Sequence, residues 1–167
     1  MPVHRLDNAR WGFVSNCFVC EPANAGGLQI AFFHDDEDQT VSARFSLGDR
    51  FSGTPRYLHG GVALAVLDEA MAWGAIALAG VFALTRSTEA RFVRPVVLDA
   101  PHRVEARLVD RAPPGDGIGD LAMAAVITDE EGATCVEASA RFTPMSAASA
   151  GGAIGILGGD DTRYVRG

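Results

Sequence analysis

One apolar stretch dominates the chain. From Val62 to Leu84 the only charged side chains are the adjacent pair Asp68 and Glu69. The stretch reads as a helix opened by His59-Gly60-Gly61, and it has almost no polar face. Leu64, Ala65, Met71 and Ala72 lie three and four residues from Asp68, so Asp68 is expected to be shielded from solvent, paired or used. Glu69, about 100° further round, is expected at an edge or behind the site.

Elsewhere the pattern alternates. Arg103, Glu105 and Arg107 interleave with Val104, Ala106 and Leu108. Glu137, Ser139 and Arg141 interleave with Val136, Ala138, Ala140 and Phe142. Both are half-buried strands. Leu28 to Phe33, Thr40 to Leu47, Thr88 to Val93 (stopped by Pro95) and Leu121 to Thr128 are further strands. Turn residues separate them at 21–27, at the acidic tip Asp35-Asp36-Glu37-Asp38, at 113–117 and at 130–132. The acidic tip is read as a solvated turn.

Strands, one long apolar helix, then a meander of strands predict an α+β layer structure rather than a βαβ repeat. A helix apolar on nearly every face needs a strongly curved sheet around it, or a second subunit. Residues 1–15 are expected as a short helix or an arm anchored by Trp11 and Phe13. Residues 16–145 form the domain, and 146–167 are an Ala/Gly-rich, mobile tail.

A membrane span is the competing reading of the helix. Each charge at a span centre costs roughly 2.5–3.5 kcal/mol, and the uninterrupted part, Ala70 to Leu84, falls short of the ~20 residues a span needs. Met1 to Asp7 lacks the apolar core of a signal peptide, so a cytoplasmic protein is expected.

At 167 residues the chain suffices for one core. Its net charge of -7 and lack of a basic cluster argue against a nucleic-acid partner. The three cysteines, Cys17, Cys20 and Cys135, suit a reducing compartment. Cys17 and Cys20 have the spacing of a metal or redox pair, but a zinc site needs two more ligands. No second Cys-x-x-Cys follows, and His4, His34, His59 and His102 are scattered. The pair is therefore expected to act as small buried apolar residues. No metal and no cofactor are expected.

Glycines at a helix start let a ligand approach N–H groups that have no intrahelical partner, where the helix dipole favours negative charge. With a carboxylate on the same helix, the segment offers an anion-stabilising corner and an acid/base group, the two halves of an acyl-transfer site. The plainer alternatives are a turn for the glycines and a local cap for His59.

Three segments resemble the hotdog-fold thioesterases of the PaaI type. They are Asn16-Cys17-Phe18-Val19-Cys20 through Asn24 and Gly27-Leu28; His59-Gly60-Gly61 with Asp68 nine residues after the histidine, then Glu69-Ala70-Met71; and Glu89-Ala90-Arg91-Phe92-Val93-Arg94-Pro95-Val96. The resemblance implies a curved antiparallel sheet wrapped around a central helix. It also implies hydrolysis of an acyl-CoA thioester, with CoA as part of the substrate. In that reading the Gly60 N–H stabilises the oxyanion, and Asp68 is the general base for water or the direct nucleophile. His59 sets the Gly60 loop, and Thr85 orients water. Gly61, Met71 and Trp73 would contact the substrate.

Gly60 and Asp68 are eight residues apart, roughly 12 Å along a helix at 1.5 Å per residue. One carbonyl cannot reach both in the same chain, so a homodimer with an intersubunit site is expected, assembled into a tetramer as is usual in that family. The chain departs from the pattern at Gly53, where several relatives carry an Asn donor, and at Glu21 and Ala25. The alternative is a hotdog protein that binds acyl-CoA as a sensor without cleaving it. A hotdog dehydratase is a third, without its typical His and Asp arrangement here.

Overall fold

The computed structural model describes residues 3–11, 15–112, 120–146 and 149. Strand β1 (Val3–Leu6) is followed by a 3-10 turn at Asn8–Trp11. The hairpin β2 (Phe32–Asp35) and β3 (Thr40–Phe45) follows, then a short hairpin of β4 (Ser52–Thr54) and β5 (Tyr57–Leu58). The central helix α1 (Gly60–Ala79) comes next. Four long strands follow, β6 (Ala83–Phe92), β7 (His102–Arg111), β8 (Leu121–Thr128) and β9 (Thr134–Pro144).

Seven strands form one antiparallel sheet in the order β1-β2-β3-β7-β8-β9-β6. Helix α1 packs against six of them, β2, β3, β6, β7, β8 and β9. Strands lie about 4.8 Å apart and a helix with side chains is about 10 Å wide, so a flat sheet could not bring six strands to one helix. The sheet curves around it, and the fold is the α+β hotdog arrangement implied by the sequence resemblance.

The alternation read from the sequence sets the register. Val104 pairs with Ile127, Met123 with Ala140 and Leu121 with Phe142, and all of these face the helix, buried. From α1 come Ala63, Val66, Leu67, Ala70, Met71 and Gly74. Burying each large side chain contributes about 1.5–3 kcal/mol. At Gly74 the helix presses closest: a methyl there would lie 2.5 Å from Met123 Cε. By length and composition α1 could cross a membrane, but here its apolar length packs into the curved sheet.

The apolar run does not remain helical to Leu84. Gly80, in the left-handed region (φ 71°), caps α1 after Ala79, its N–H reaching Ala75 O and Ile76 O. Leu84 and Thr85 are therefore in β6, which starts five residues before the predicted Thr88. The first predicted strand also shifts: Leu28 and Ile30 bond back to Phe18 and Val19, and β2 proper begins at Phe32. Phe13, the 113–117 loop and nearly all of the tail lie outside the described residues.

Candidate active site

The start of α1 is built by His59. It is the N-cap, with extended backbone, and its N–H reaches Phe51 O at 2.9 Å. Its Nδ1 accepts from the Gly61 N–H at 2.9 Å, and its carbonyl accepts from Val62 N–H at 2.9 Å and Ala63 N–H at 3.1 Å. An accepting Nδ1 leaves the proton of the neutral ring on Nε2. Of the first four N–H groups that a helix leaves without internal partners, three are thus satisfied. The Gly60 N–H alone forms no hydrogen bond among the described residues. Gly60 lines a cleft of about 260 Å³ together with Leu58, Ala63, Phe92, Val93, Pro95 and Val96.

The two glycines differ in what requires them. A methyl on Gly61 would sit 3.1 Å from His59 Nδ1 and displace the capping ring. A methyl on Gly60 would meet only the Phe92 ring edge, at an ordinary 3.5 Å. The chain's own packing explains Gly61, whereas at Gly60 the missing side chain leaves the approach to the N–H open. Gly53 also belongs to this corner. A methyl there would lie 3.0 Å from His59 Cα, so its bareness lets β4 lie against the cap.

Two turns further along α1, Asp68 is half-buried on the side away from the deep core, where Leu64, Ala65 and Ala72 are also only partly covered. The exposed Thr85 donates its Oγ1 hydrogen to Asp68 Oδ1 at 2.7 Å. Thr85 precedes an irregularity in β6: it pairs with Phe142, while Ser87 pairs with Arg141, leaving Arg86 as the extra residue. A bulge of this kind re-aims neighbouring side chains. The displaced Arg86 pairs with Asp120 at 2.5 Å.

Of the two places expected for Glu69, an edge or behind the site, the structure gives the second. Glu69 points at the loop before β2, and the Cys17 thiol meets its Oε1 at 3.3 Å. Cys17 Sγ also accepts from the Val19 and Cys20 N–H groups, each at 3.3 Å. The Cys20 thiol and these two N–H groups hold the Cys17 thiol down to about 5, against the opposing effect of burial. Cys20 is pushed upward, first by its hydrogen bond with Cys17, then by burial. Burial, then the charge on Cys17, pushes Glu69 up to about 8. Cys17 and Cys20 are half-buried polar partners rather than the inert apolar residues expected, while Cys135 is buried. The spacing of the cysteines was visible in the sequence; the approach of a carboxylate 52 positions away was not.

Met71 and Trp73 lie on the buried side of α1, at 0% and 3% exposure. A larger depression, about 520 Å³, lies on the outer face of the sheet among Glu89, Arg91, Glu105, Arg107, Glu137 and Ser139. It includes none of His59, Gly60, Asp68 or Thr85.

Residues 56–111 match the family model described as the thioesterase superfamily. That range contains the second and third resembling segments; the first, with Cys17 and Cys20, lies outside it. Among solved structures, a thioesterase-superfamily protein is 26% identical, with a TM-score of 0.66 over 75% of this chain; the match spans only 61% of that longer protein. The Escherichia coli PaaI protein of the phenylacetic acid degradation operon is 13% identical, with a TM-score of 0.61 over 71% of this chain and 81% of its own. A Streptococcus mutans protein bound to acetyl-CoA is 14% identical, with a TM-score of 0.58 over 65% of this chain and 82% of its own. No curated protein matches the chain significantly by sequence.

Proposed function

We propose that this chain, a hotdog-fold protein resembling the thioesterase superfamily, hydrolyses acyl-CoA thioesters to a free acid and CoA. The observation that carries the reading is the 2.7 Å hydrogen bond from Thr85 to Asp68 on the open side of α1. By occupying Oδ1, the Thr85 hydroxyl leaves Oδ2 to take a proton from an attacking water or to attack the carbonyl itself. Either route passes through a tetrahedral oxyanion. The unspent Gly60 N–H, at the positive end of the helix dipole, is suited to receive it. His59 acts by holding that corner in shape. Collapse expels the CoA thiolate, which takes up a proton; one water is consumed per thioester.

Gly60 and Asp68 of one chain are roughly 12 Å apart along the helix, too far to serve one carbonyl within about 3 Å of each. A working site therefore joins Gly60 of one protomer to Asp68 and Thr85 of a second copy. Strand β6 is one of the sheet's two outer strands and is exposed along most of its length, with Leu84 at 61% and Phe92 at 53%. Such an edge is a template for a second strand, and Thr85 lies on it. The acetyl-CoA bound by the Streptococcus mutans neighbour supports a CoA thioester as the substrate class.

The test is CoA release from short, medium, long and aromatic acyl-CoAs, comparing the unsubstituted chain with Asp68→Ala. Turnover lost in the variant, with folding and oligomeric state unchanged, supports the reading. Tight acyl-CoA binding without turnover would instead identify a sensor.

A further inference from the structure

A second group of reactive side chains lies across α1 from Thr85. Cys17 Sγ, Cys20 Sγ and a Glu69 carboxylate oxygen all lie within 4.8 Å of one another. We infer that Cys17, Cys20 and Glu69 form a binding site for a zinc-class divalent cation, with a fourth position left to solvent.

The loop that presents the two sulfurs is tightly built. The Asn24 amide donates to Asn16 O at 3.2 Å and Cys17 O at 3.4 Å. A methyl on Gly27 would fall 2.4 Å from Phe18 O, so only glycine lets Leu28 N–H close on that carbonyl at 2.7 Å. The paired N–H groups on Cys17 Sγ favour a thiolate, the form that binds metal. The Asn8 amide, 3.7 Å from Cys20 Sγ, contacts the second sulfur. Donors to ligating sulfurs commonly orient and tune such sites.

Donor chemistry and size favour zinc over other occupants. Two sulfurs and one carboxylate are mixed soft and hard donors, which suits zinc better than calcium or magnesium, whose ligands are oxygens. Tetrahedral zinc with ~2.3 Å bonds to sulfur sets its sulfurs about 3.8 Å apart, so the present spread needs to close by about 1 Å or less. Glu69 gives the cluster a further reason to take a cation. One of its carboxylate oxygens lies within 4.8 Å of both sulfurs, close enough to complete a three-donor set. Binding would displace the thiol protons to solvent and clamp the 15–30 loop to α1 one residue from Asp68. Such a site is independent of thioester hydrolysis.

The test uses the full chain, reduced and stripped with a chelator, titrated with Zn2+ and, for its thiolate-to-metal absorption, with Co2+. One ion per chain, the cobalt-thiolate band and a rise in Tm on adding zinc are expected. Cys20→Ser should weaken binding by roughly 100-fold or more and Glu69→Gln by about 10-fold, on the scale by which even outer partners alter metal affinity. Cys135→Ser should bind as the parent chain does. Chelator-treated Glu69→Gln, matched in shape to the parent, must keep a cooperative unfolding transition for the comparison to count. If the parent takes up no stoichiometric ion, or if binding survives both Cys20→Ser and Glu69→Gln, the inference is overturned. A Cys17–Cys20 disulfide forming under mild oxidant without metal uptake also overturns it, in favour of a dithiol pair.

Discussion

Thr85 and Asp68, 17 residues apart and on different elements, are joined by a 2.7 Å hydrogen bond across the gap between β6 and α1. The β6 irregularity that follows Thr85 lies where its side chain turns to the helix. The bond makes the two carboxylate oxygens unequal. Oδ1 accepts from Thr85, and Oδ2 accepts no side-chain hydrogen bond among the described residues.

Substitution at the two ends should therefore have different effects. Asp68→Asn removes the proposed base or nucleophile, and kcat for thioester hydrolysis is expected to fall by roughly 10²–10⁴-fold, the range for a positioned general base. Thr85→Val leaves the carboxylate unoriented and should cost less, while Thr85→Ser, which keeps the hydroxyl, should recover most of the rate. Steady-state kinetics on the best acyl-CoA checks the order. Equal losses in Thr85→Ser and Thr85→Val would show that the hydroxyl has no role.

The cap at His59 should show in stability as well as rate. Losing a helix N-cap costs about 0.5–2 kcal/mol, so His59→Ala should lower Tm measurably. Gly61→Ala, which forces a methyl to within 3.1 Å of the ring nitrogen, should lower it too. Gly60→Ala meets only ordinary contacts and should keep the parent Tm while slowing turnover. A Gly60→Ala enzyme of full activity would remove that N–H corner from the mechanism.

The Cys17–Glu69 pair predicts an unusual pH dependence in metal-free protein. Cys17 is held at about 5 in the fold against 9.0 ordinarily, so its contribution to stability is present above pH 9 and is lost as pH falls toward 5. Glu69 is held at about 8 against 4.5, so its contribution is present below pH 4.5 and is lost as pH rises through 8. Between pH 5 and 8 the two oppose one another. In Glu69→Gln only the first remains, and Tm should climb from pH 5 to 8 more steeply than in the parent. Parallel Tm curves would contradict the coupling.

Thiol chemistry offers a direct check on the same pair. Iodoacetamide at pH 6 should modify Cys17 first, because its thiolate persists there. Cys135, 2% exposed and raised by burial, should react only on unfolding. Peptide mapping after brief labelling distinguishes them.

The exposed edge predicts assembly. Leu84→Glu places a charge on the outer strand beside Thr85 and should shift the chain toward monomer. If the site is shared between protomers, activity should fall with it. Light scattering and the CoA-release assay, run on the same samples, test the link. A fully active monomer would refute a shared site.

Much of this molecule was readable from order and alternation along the chain. The period-two strands β7 and β9, the apolar run of β8 and the apolar helix follow from local pattern, because one face of each must leave water. His59-Gly60-Gly61 announced the helix start for a similar reason: capping is settled within a few residues. The helix end is not legible in the pattern because Val81 to Leu84 is as apolar as what precedes it, and the left-handed turn at Gly80 is stabilised by backbone bonds that composition does not register. The roles of the two acids depended on distant chain. Neighbours on a helix point about 100° apart, and which direction meets Thr85 and which meets Cys17 is decided by where β6 and the first loop pack. Sequence alone therefore determined that two carboxylates sit in an apolar helix. Tertiary structure decided that Asp68 faces a hydroxyl on the open side while Glu69 faces two thiols, because those contacts close only when the sheet wraps the helix.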